Sequence, residues 1–467
     1  MEPSAGSSEY FEYRLDDLPL ARSMGARLPA VAADAIDIAA AIYLADRLAP
    51  RFDRGLSIAP FERWSRRLFL AIPVRDPYWW RHPAIRDGYE LLLAFLTDDD
   101  WHLEFVRRSP RLNARPAELQ RPIDLLRVDG PAVIVLHSGG LDSVLGLVEA
   151  IGWGDSAVVI PASVTTSSRA EDVQDGILAE LIRVREIQSS PLRGVRLYTN
   201  LCNVPRSEQE STQRARGLLY LTLGAVTALN ADQVRFHVAE HGTGAINLPY
   251  TPDQRGARTS KAVHPVTLAR ISDLFSLAFD RPMEVNNLLL WETKGESCQR
   301  LSERLVPVVQ LTVSCDRFPR RDASNPCGSC PSCIVRAAAL LAVGQDGVDR
   351  GSKRRFDFDP TSAGMEWEGR QILPLHSMRF QSGSIRAALA EPSPFSALLD
   401  AYPELHDVVD LHERWLQTPS EVGSRLVRLY GAYLRELDGY FATFAQPGWG
   451  PAAPIAALTQ ARLPAVG

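Results

Sequence analysis

The stretch Ser138-Gly139-Gly140-Leu141-Asp142-Ser143 (SGGLDS) decides the fold through what stands on either side of it. Residues 132–136 before it are all apolar and three of them are β-branched, which is typical of a buried parallel strand. Residues 144–151 behind it have the apolar character of a buried helix. A glycine pair between a strand and a helix lets the backbone turn tightly and gather several N–H groups at the positive end of the helix dipole. SGGLDS therefore predicts an anion-binding loop, with an ordinary glycine-rich turn as the alternative.

Composition excludes several classes of protein. A length of 467 residues allows two or three domains, and 45% hydrophobic with 23% charged residues is typical of a globular protein. The net charge of −5 argues against broad nucleic-acid binding, which needs a basic face. The first ten residues lack the apolar core of a signal peptide, and no apolar run is long enough to span a bilayer. We therefore expect a cytoplasmic protein without membrane association.

Three regions differ in pattern. Residues 1–128 mix helical spacing with strand-like alternation and predict an accessory α+β domain. Residues 129–345 alternate strand-like and helix-like segments, which predicts a doubly wound parallel sheet in an α/β domain. Residues 346–467 predict a mostly helical C-terminal region. The clearest single elements outside the middle region are a helix over 34–48, strands over 68–74 and 101–106, and a helix over 422–444.

Two arginines stand where the predicted sheet would bind a ligand. In a doubly wound sheet, ligands bind at the carboxyl ends of the strands. Arg214 and Arg216 come just before a strongly apolar helix over 216–229. Cations are unfavourable at a helix start, and two guanidinium groups can hold triphosphate oxygens and stabilise departing pyrophosphate. This mismatch favours a phosphate-binding role, with a solvated helix start as the alternative.

A polar loop follows the next predicted strand, which ends at Glu240. Its amide, guanidinium and imidazole groups, Asn247, Arg255 and His264, suit recognition of a planar heterocycle. For any single residue of this loop, a surface position without a role fits the sequence equally well. Further on, Lys294 can bring an ammonium group to the phosphates, although isolated lysines are usually only solvated.

Four cysteines cluster late in the chain, at positions Cys315, Cys327, Cys330 and Cys333. Eleven residues separate the first two, and two residues separate each later pair. Thiolates so close in sequence can wrap one tetrahedral ion and leave no coordination position open, which predicts a structural Zn²⁺ site. An iron–sulfur cluster is the alternative, but the fourth cysteine lies upstream and no proline follows Cys333.

These motifs together resemble a known family. SGGLDS resembles the pyrophosphate-binding loop of the N-type ATP pyrophosphatases, which split ATP between its α and β phosphates and adenylate a substrate. The loop, residues 214–221, residues 293–294 and the cysteine block resemble, in that order, 7-cyano-7-deazaguanine synthase (QueC). The resemblance covers residues 132–342. It implies a Rossmann-like PP-loop fold, ATP with Mg²⁺, and Zn²⁺ on the four cysteines.

The resemblance also implies a reaction. In that family ATP adenylates the carboxylate of 7-carboxy-7-deazaguanine, ammonia attacks to give an amide, and a second activation gives the nitrile. Three stretches depart from the family: residues 164–168 replace Gly-Gln, residues 216–217 replace Arg-Asn, and residues 246–250 replace the Gly-Tyr-Pro-Asp-Cys substrate loop. With the two flanking regions, the arrangement is more similar to the QatC proteins of bacterial anti-phage systems. Their relatives are associated with joining a deazaguanine to a protein amine, so a partner protein can replace ammonia as the acceptor.

Roles for individual residues follow from the resemblance and the motifs. An ATP-dependent ligase that releases AMP and pyrophosphate is the first hypothesis. A 7-cyano-7-deazaguanine synthase, a non-catalytic nucleotide-sensing subunit and a tRNA thiolation enzyme are the alternatives. The expected catalytic residues are Ser138, Asp142, Ser143 and Lys294, with Asp142 acting through Mg²⁺. The expected ATP-binding residues are Leu136, Ser138, Gly139, Gly140, Leu141, Asp142, Ser143, Arg214 and Arg216. The expected substrate-binding residues are Glu240, Asn247, Arg255 and His264.

Overall fold

A computed structural model gives the architecture. It describes residues 12–24, 28–51, 65–109, 131–153, 158–185, 192, 194–202, 204, 209–210, 212–254, 259–319, 323–350, 356–362 and 369–444. The strands are β1 Glu12–Asp16, β2 Arg67–Val74, β3 Asp100–Arg107, β4 Ala132–Leu136, β5 Val158–Thr165, β6 Val195–Cys202, β7 Arg235–Val238 and β8 Glu284–Asn287.

The α-helices are α1 Leu18–Met24, α2 Ala30–Leu48, α3 Pro77–Trp80, α4 Pro83–Thr97, α5 Leu141–Ile151, α6 Ser168–Arg185, α7 Arg216–Asn230, α8 Gly242–Ile246, α9 Pro265–Ala278, α10 Lys294–Cys298, α11 Val306–Leu311, α12 Pro331–Ala342, α13 Gly347–Arg350, α14 Gly369–Leu389, α15 Pro394–Ala401, α16 His406–Val409 and α17 Pro419–Phe441. Within the described part of the chain, none of these helices combines the length and the apolar character needed to cross a membrane.

The main sheet has six strands in the order β1-β6-β5-β4-β7-β8. All neighbouring pairs from β6 to β8 are parallel, and β1 adds an antiparallel edge to β6. Numbered from β4, the parallel strands run 3-2-1-4-5, which is the doubly wound order. The predicted fold class is confirmed. The strand order reverses between β4 and β7, so the loops that follow these two strands meet at the switch point, where such sheets bind ligands.

Strand β4 is buried on both faces, which explains its unbroken apolar run. Its alternate side chains enter two different cores. Ile134 and Leu136 pack in the cluster that contains α7 and α9, and Val135 packs in the cluster of α5 and α6. The strand that leads into SGGLDS is therefore held by helices from both sides of the sheet.

The N-terminal region is joined to this sheet. Strands β2 and β3 confirm the strands expected over 68–74 and 101–106, and they form a separate parallel pair with α3 and α4 between them in the chain. Helix α2, which confirms the expected helix over 34–48, packs against α7, and both belong to one apolar cluster with a face of the main sheet. The boundary expected at residue 128 lies outside the described residues, and the division into three domains stays a prediction.

The C-terminal helices have a core of their own, built around α14 and α17. Helix α17 confirms the helix expected over 422–444, although it begins three residues earlier and ends at Phe441. The same core contains Ile246 and Leu248 from the middle region and the apolar face of α12. The C-terminal region therefore packs directly on the segment that follows β7.

Candidate active site and metal centre

The SGGLDS loop has the geometry of an anion-binding turn. Gly139 adopts a φ of +89°, which favours glycine, and a Cβ at this position would lie 3.0 Å from Val173 Cγ1. Gly140 caps α5 and donates its N–H to Ser138 Oγ at 3.3 Å. The Gly139 carbonyl accepts from the Val313 N–H at 2.9 Å, which ties the loop to the segment before the cysteines. The loop thus holds its backbone at the start of an eleven-residue helix, where N–H groups and the helix dipole attract anions.

Ser143 and His137 close the back of the loop. Ser143 Oγ donates to the Gly140 carbonyl at 2.8 Å and lies 3.3 Å from His137 Nδ1. His137 is completely buried, and burial lowers its pKa to about 4, so the ring is neutral near pH 7. Its Nε2 has no hydrogen-bond partner among the described residues. His137 was not among the site residues predicted from the sequence, where its signal is an imidazole at the end of an otherwise apolar strand.

Four charged or titratable side chains meet beside the loop, and we call Asp142, Glu240, His241 and Lys294 the active-site charge cluster. Lys294 Nζ forms an ion pair with Asp142 Oδ2, and both side chains are buried. His241 Nδ1 lies 2.8 Å from Glu240 Oε1 and 3.7 Å from Asp142 Oδ1. The acidic and imidazole ligand atoms of this cluster all lie within 4.8 Å of one another.

Electrostatic interactions keep both Asp142 and Lys294 ionised. Burial acts to raise the pKa of Asp142, but the Lys294 ammonium and His241 hold it below its usual value. Burial likewise acts to lower the pKa of Lys294, and the charges of Asp142 and Glu240 raise it above its usual value. Asp142 Oδ1 has no hydrogen-bond partner in the described part of the chain. A buried carboxylate oxygen therefore faces the site with unused acceptor capacity.

Two other segments bring Lys294 and Glu240 to the loop. Lys294 is the first residue of α10, after Thr293 and Glu296 close a capping box around its start. Glu240 is fixed through its backbone, because its N–H donates to Asn287 Oδ1 at 3.0 Å and its carbonyl accepts from Asn287 Nδ2 at 2.8 Å. The ends of β7 and β8 thus carry residues of the site, as the strand order requires.

The two predicted phosphate arginines lie in different surroundings. Arg216 is exposed at the start of α7, where its charge acts on Tyr220, and the Tyr220 hydroxyl donates to the Val164 carbonyl near the end of β5 at 2.9 Å. Arg214 is half-buried, and burial lowers its pKa. Its charged neighbours are Arg51, Asp46, Asp98 and Glu210. The charge of Arg216 also acts on Tyr43 of α2, so both arginines have titratable neighbours in the N-terminal region.

The predicted substrate residues other than Glu240 have local structural contacts. Asn247 ends α8 with a φ of +50° and donates from Nδ2 to the Ser260 carbonyl at 2.9 Å. His264 caps α9 by accepting the Val266 N–H at 3.2 Å, and burial lowers its pKa to about 3. Its ring lies 5.3 Å from that of Phe95 in the N-terminal region. Arg255 lies outside the described residues.

The four cysteines meet in one buried cluster. Their Sγ atoms all lie within 4.8 Å of one another, and no disulfide joins them. Cys315 Sγ and Cys327 Sγ are 3.7 Å apart. Tetrahedral zinc with thiolate bonds of about 2.3 Å requires sulfur–sulfur distances of about 3.8 Å, so the cluster fits a zinc ion. Gly328 turns the chain here with a φ of +73°, and a Cβ on it would collide with the Phe358 carbonyl.

The cysteine cluster and the phosphate loop are neighbours. Val313, which holds the Gly139 carbonyl, stands two residues before Cys315. Arg336 of α12 is buried and donates to Thr312 Oγ1 at 2.7 Å and Ser314 Oγ at 3.3 Å on either side of Val313. Residues 312–315 hold the loop through Val313, so an ion bound by the cysteines would make this segment more rigid.

A doubly wound sheet with a glycine-rich anion-binding loop at its switch point and a four-cysteine cluster behind that loop is consistent with a PP-loop fold. Comparisons with known proteins make the family specific. Residues 132–344 match the family described as queuosine biosynthesis protein QueC. The chain is 32% identical over 224 residues to the 7-cyano-7-deazaguanine synthase of Ralstonia pickettii (strain 12J). The aligned stretch covers 45% of this chain and 94% of that protein. The chain belongs to the QueC family, and its flanking regions lie outside the matched residues.

Proposed function

We propose that this chain adenylates the carboxylate of a 7-carboxy-7-deazaguanine-type substrate with ATP and passes the acyl group to a nitrogen nucleophile. The observation that carries the proposal is the buried Asp142–Lys294 pair inside the anion loop of a QueC-family sheet. A buried charge pair with an unused carboxylate oxygen suits a site that receives a charged ligand.

The loop would bind the phosphates of ATP. Its backbone N–H groups and the Ser138 hydroxyl offer donors, and the exposed Arg216 at the start of α7 is the cation expected to join them. Asp142 Oδ1 and the Glu240 carboxylate are the groups that would hold Mg²⁺, which prefers carboxylate oxygens. When bound, Mg²⁺ offsets phosphate charge, and Lys294 does the same from the protein side.

The reaction needs no covalent bond to the protein. A substrate carboxylate oxygen forms a bond to the α phosphorus, and the bond from that phosphorus to the bridging oxygen breaks to release pyrophosphate. The nitrogen then forms a bond to the acyl carbon and loses a proton, and AMP leaves with the electrons of the broken C–O bond. Positioning and charge neutralisation by the loop and the active-site charge cluster supply the catalysis.

The nitrogen nucleophile that receives the acyl group is the point on which we expect this chain to differ from a compact synthase. Residues 246–250, which replace the family's substrate loop, carry Ile246 and Leu248 into the C-terminal core. A region outside the QueC match therefore holds the loop beside the site. This favours a protein amine as acceptor within an anti-phage system, with ammonia and a 7-cyano-7-deazaguanine product as the second candidate.

Adenylation is tested by ATP–pyrophosphate exchange with 7-carboxy-7-deazaguanine. We expect substrate-dependent exchange in the wild type and none in Asp142→Asn, which keeps the size of the side chain and removes its charge. Asp232→Asn is the matched control, because Asp232 is a surface residue whose ion pair with Arg281 is 3.0 Å long. Wild-type exchange in Asp142→Asn would refute the proposal.

The acceptor is tested by mass spectrometry of products formed with ammonia and with co-expressed partner proteins. A nitrile product would assign the synthase reaction to this chain. A mass increase on a partner protein that requires ATP and the deazaguanine would assign conjugation. Binding of ATP with no release of AMP under either condition would instead support a nucleotide-sensing subunit.

A further inference from the structure

The C-terminal helices contact three segments of the candidate site, although they lie outside the QueC match. Gly242, directly after His241, sits so close to α17 that a Cβ on it would lie 2.7 Å from Leu429 Cδ2. Gln381 of α14 donates from Nε2 to the carbonyls of Leu248 and Pro249 at 2.9 and 3.2 Å. Helix α17 also reaches the segment that carries Lys294.

Glu436 of α17 makes the contact nearest to Lys294. Its carboxylate accepts hydrogen bonds from Thr293 Oγ1 and from the Gly295 N–H, the latter at 3.3 Å. These two residues flank Lys294 on either side. A Cβ on Gly295 would collide with Glu436 Oε1, so the carboxylate approaches this backbone closely and would have to shift for any larger residue. Glu436 and the segment around Lys294 both shape this contact, although more than 140 residues separate them in the sequence.

A second contact from α17 holds the rest of the same segment. Arg428 Nη1 lies 2.6 Å from Glu296 Oε1, and Arg428 Nη2 donates to the Trp291 carbonyl. Helix α10 has only five residues, and so short a helix has little stability of its own. It packs on α12 and α5, and the contacts from α17 add hydrogen bonds and an ion pair around the segment that carries Lys294.

We propose that Glu436 is a positioning residue that holds the Lys294 ammonium against Asp142. A lysine side chain has four rotatable carbon bonds, and a buried ion pair is favourable only when its geometry is closely maintained. Without Glu436, the Thr293 hydroxyl and the Gly295 N–H lose their acceptor and the turn before α10 is free to move. In this way the C-terminal region completes the active site. The inference rests on the proposed function for the role of Lys294 in catalysis, but the contact itself does not.

Two measurements on Glu436→Ala and the more conservative Glu436→Gln test this. The first is acylation of lysines by an amine-reactive reagent, read by peptide mass spectrometry. We expect labelling of Lys294 to rise by roughly tenfold or more in Glu436→Ala, since the side chain loses its enclosed position, while labelling of the half-buried Lys261 is unchanged. The second is ATP–pyrophosphate exchange, expected to fall by about tenfold to 100-fold, the size of effect that misplacement by about 1 Å produces.

A double-variant comparison separates positioning from general destabilisation. If Glu436 acts through Lys294, Glu436→Ala costs little further exchange activity in a Lys294→Met background. Asp438→Asn on the same helix is the control, because Asp438 pairs with Arg386 at 2.7 Å on the exposed side. Unchanged Lys294 labelling together with wild-type exchange in Glu436→Ala would overturn the inference. Wild-type exchange in Asp142→Asn would instead overturn the proposed function, and the labelling result would still decide the contact.

Discussion

Two of the buried clusters of opposite charges in the described part of the chain differ in how their carboxylates are hydrogen-bonded. In the N-terminal charge cluster, Asp46 and Asp99 are buried with Arg51 and Arg66. Asp99 accepts two parallel hydrogen bonds from Arg51, each of 2.9 Å, and three more from Arg66, through its backbone N–H at 2.8 Å, its Nε at 3.2 Å and its Nη2 at 2.6 Å. Asp46 accepts from Arg66 at 2.6 Å and from the Ala215 N–H at 3.0 Å. These carboxylates are saturated by the protein itself.

The active-site charge cluster is not saturated in this way. Lys294 supplies one compact ammonium group where the other cluster has two planar guanidinium groups, and it engages one oxygen of Asp142. The other oxygen, Asp142 Oδ1, has no hydrogen-bond partner within the described residues. The arginine cluster, whose carboxylates accept all their hydrogen bonds from the protein, joins two regions of the chain. The lysine cluster has a carboxylate oxygen that accepts no hydrogen bond from the described residues, so a ligand can bind there. This difference distinguishes a structural charge cluster from a candidate catalytic one.

The cysteine cluster is a third case in this comparison, because its four sulfur atoms would be the ligands of a metal ion. We expect about one zinc per chain by elemental analysis, and Cys330→Ser should lose it. Structural zinc contributes on the order of 10 kcal/mol to folding in small domains, so the effect on thermal unfolding should be the largest of those predicted here. Cys298→Ser is the control, because Cys298 is buried away from the cluster and burial raises its pKa to about 12. Full zinc content in Cys330→Ser, or iron with sulfide in the wild type, would contradict the assignment.

Breaking the N-terminal charge cluster should cost stability and leave the chemistry intact. Asp99→Asn leaves two buried guanidinium groups short of their acceptor, and we expect the free energy of unfolding to fall by about 3–5 kcal/mol in urea denaturation. ATP–pyrophosphate exchange per folded molecule should stay at the wild-type rate. The neighbouring Asp100→Asn breaks exposed pairs with Arg67 at 2.9 Å and with His102 at 3.2 Å, and the free energy of unfolding should change little because water screens such pairs. If the free energy of unfolding falls equally in the two variants, buried ion pairs with all their hydrogen bonds are no more important to stability than exposed ones.

Breaking the active-site charge cluster should have the opposite outcome. Lys294→Met keeps the length of the side chain and removes the cation, and we expect exchange to fall by about 100-fold or more, as when one donor to a developing charge is lost. That corresponds to about 2.7 kcal/mol of transition-state stabilisation. Lys261→Met is the control, since Lys261 lies over the Phe95 ring at 4.2 Å on the N-terminal region. If exchange survives in Lys294→Met, the unsaturated cluster is structural after all.

The parts of this architecture that the sequence predicts are those with a local physical cause. Strand β4, the SGGLDS turn and helix α5 follow each other directly, and their apolar pattern and glycines determine them locally. The cysteine cluster was predictable because three of its ligands lie within seven residues. The resemblance of residues 293–294 to the same family put Lys294 among the expected catalytic residues, and the structure shows it paired with Asp142 beside the loop.

The parts that the sequence does not reveal depend on distant partners. Strand β8 has only Val285 fully buried among four residues, too little for a strand pattern, and it exists because β7 offers an edge. Strand β1 pairs with β6 across more than 180 residues. Glu436 lies on a helix whose pattern indicates only burial, and nothing near it in sequence points to Lys294. The charged neighbours of Arg214 in the N-terminal region are equally remote in sequence, so the sequence could not predict them, and its role at the phosphates stays a prediction.

His137 provides the last and smallest test, since it is a titratable group that the protein buries beside the loop without saturating it. Its folded pKa of about 4 lies below the ordinary value of 6.5, so as pH falls below 6.5 the unfolded chain takes up a proton first and stability is lost until pH 4. Above pH 6.5 both states are neutral and the group has no effect on the pH dependence. His137→Phe removes this titration and keeps an aromatic ring in the apolar end of β4. Between pH 7 and pH 5, we expect the variant to lose about 2 kcal/mol less unfolding free energy than the wild type in urea denaturation. Identical pH profiles would mean that His137 gains a partner that stabilises its charged form, and the loop would then be closed by an ion pair instead of a neutral imidazole.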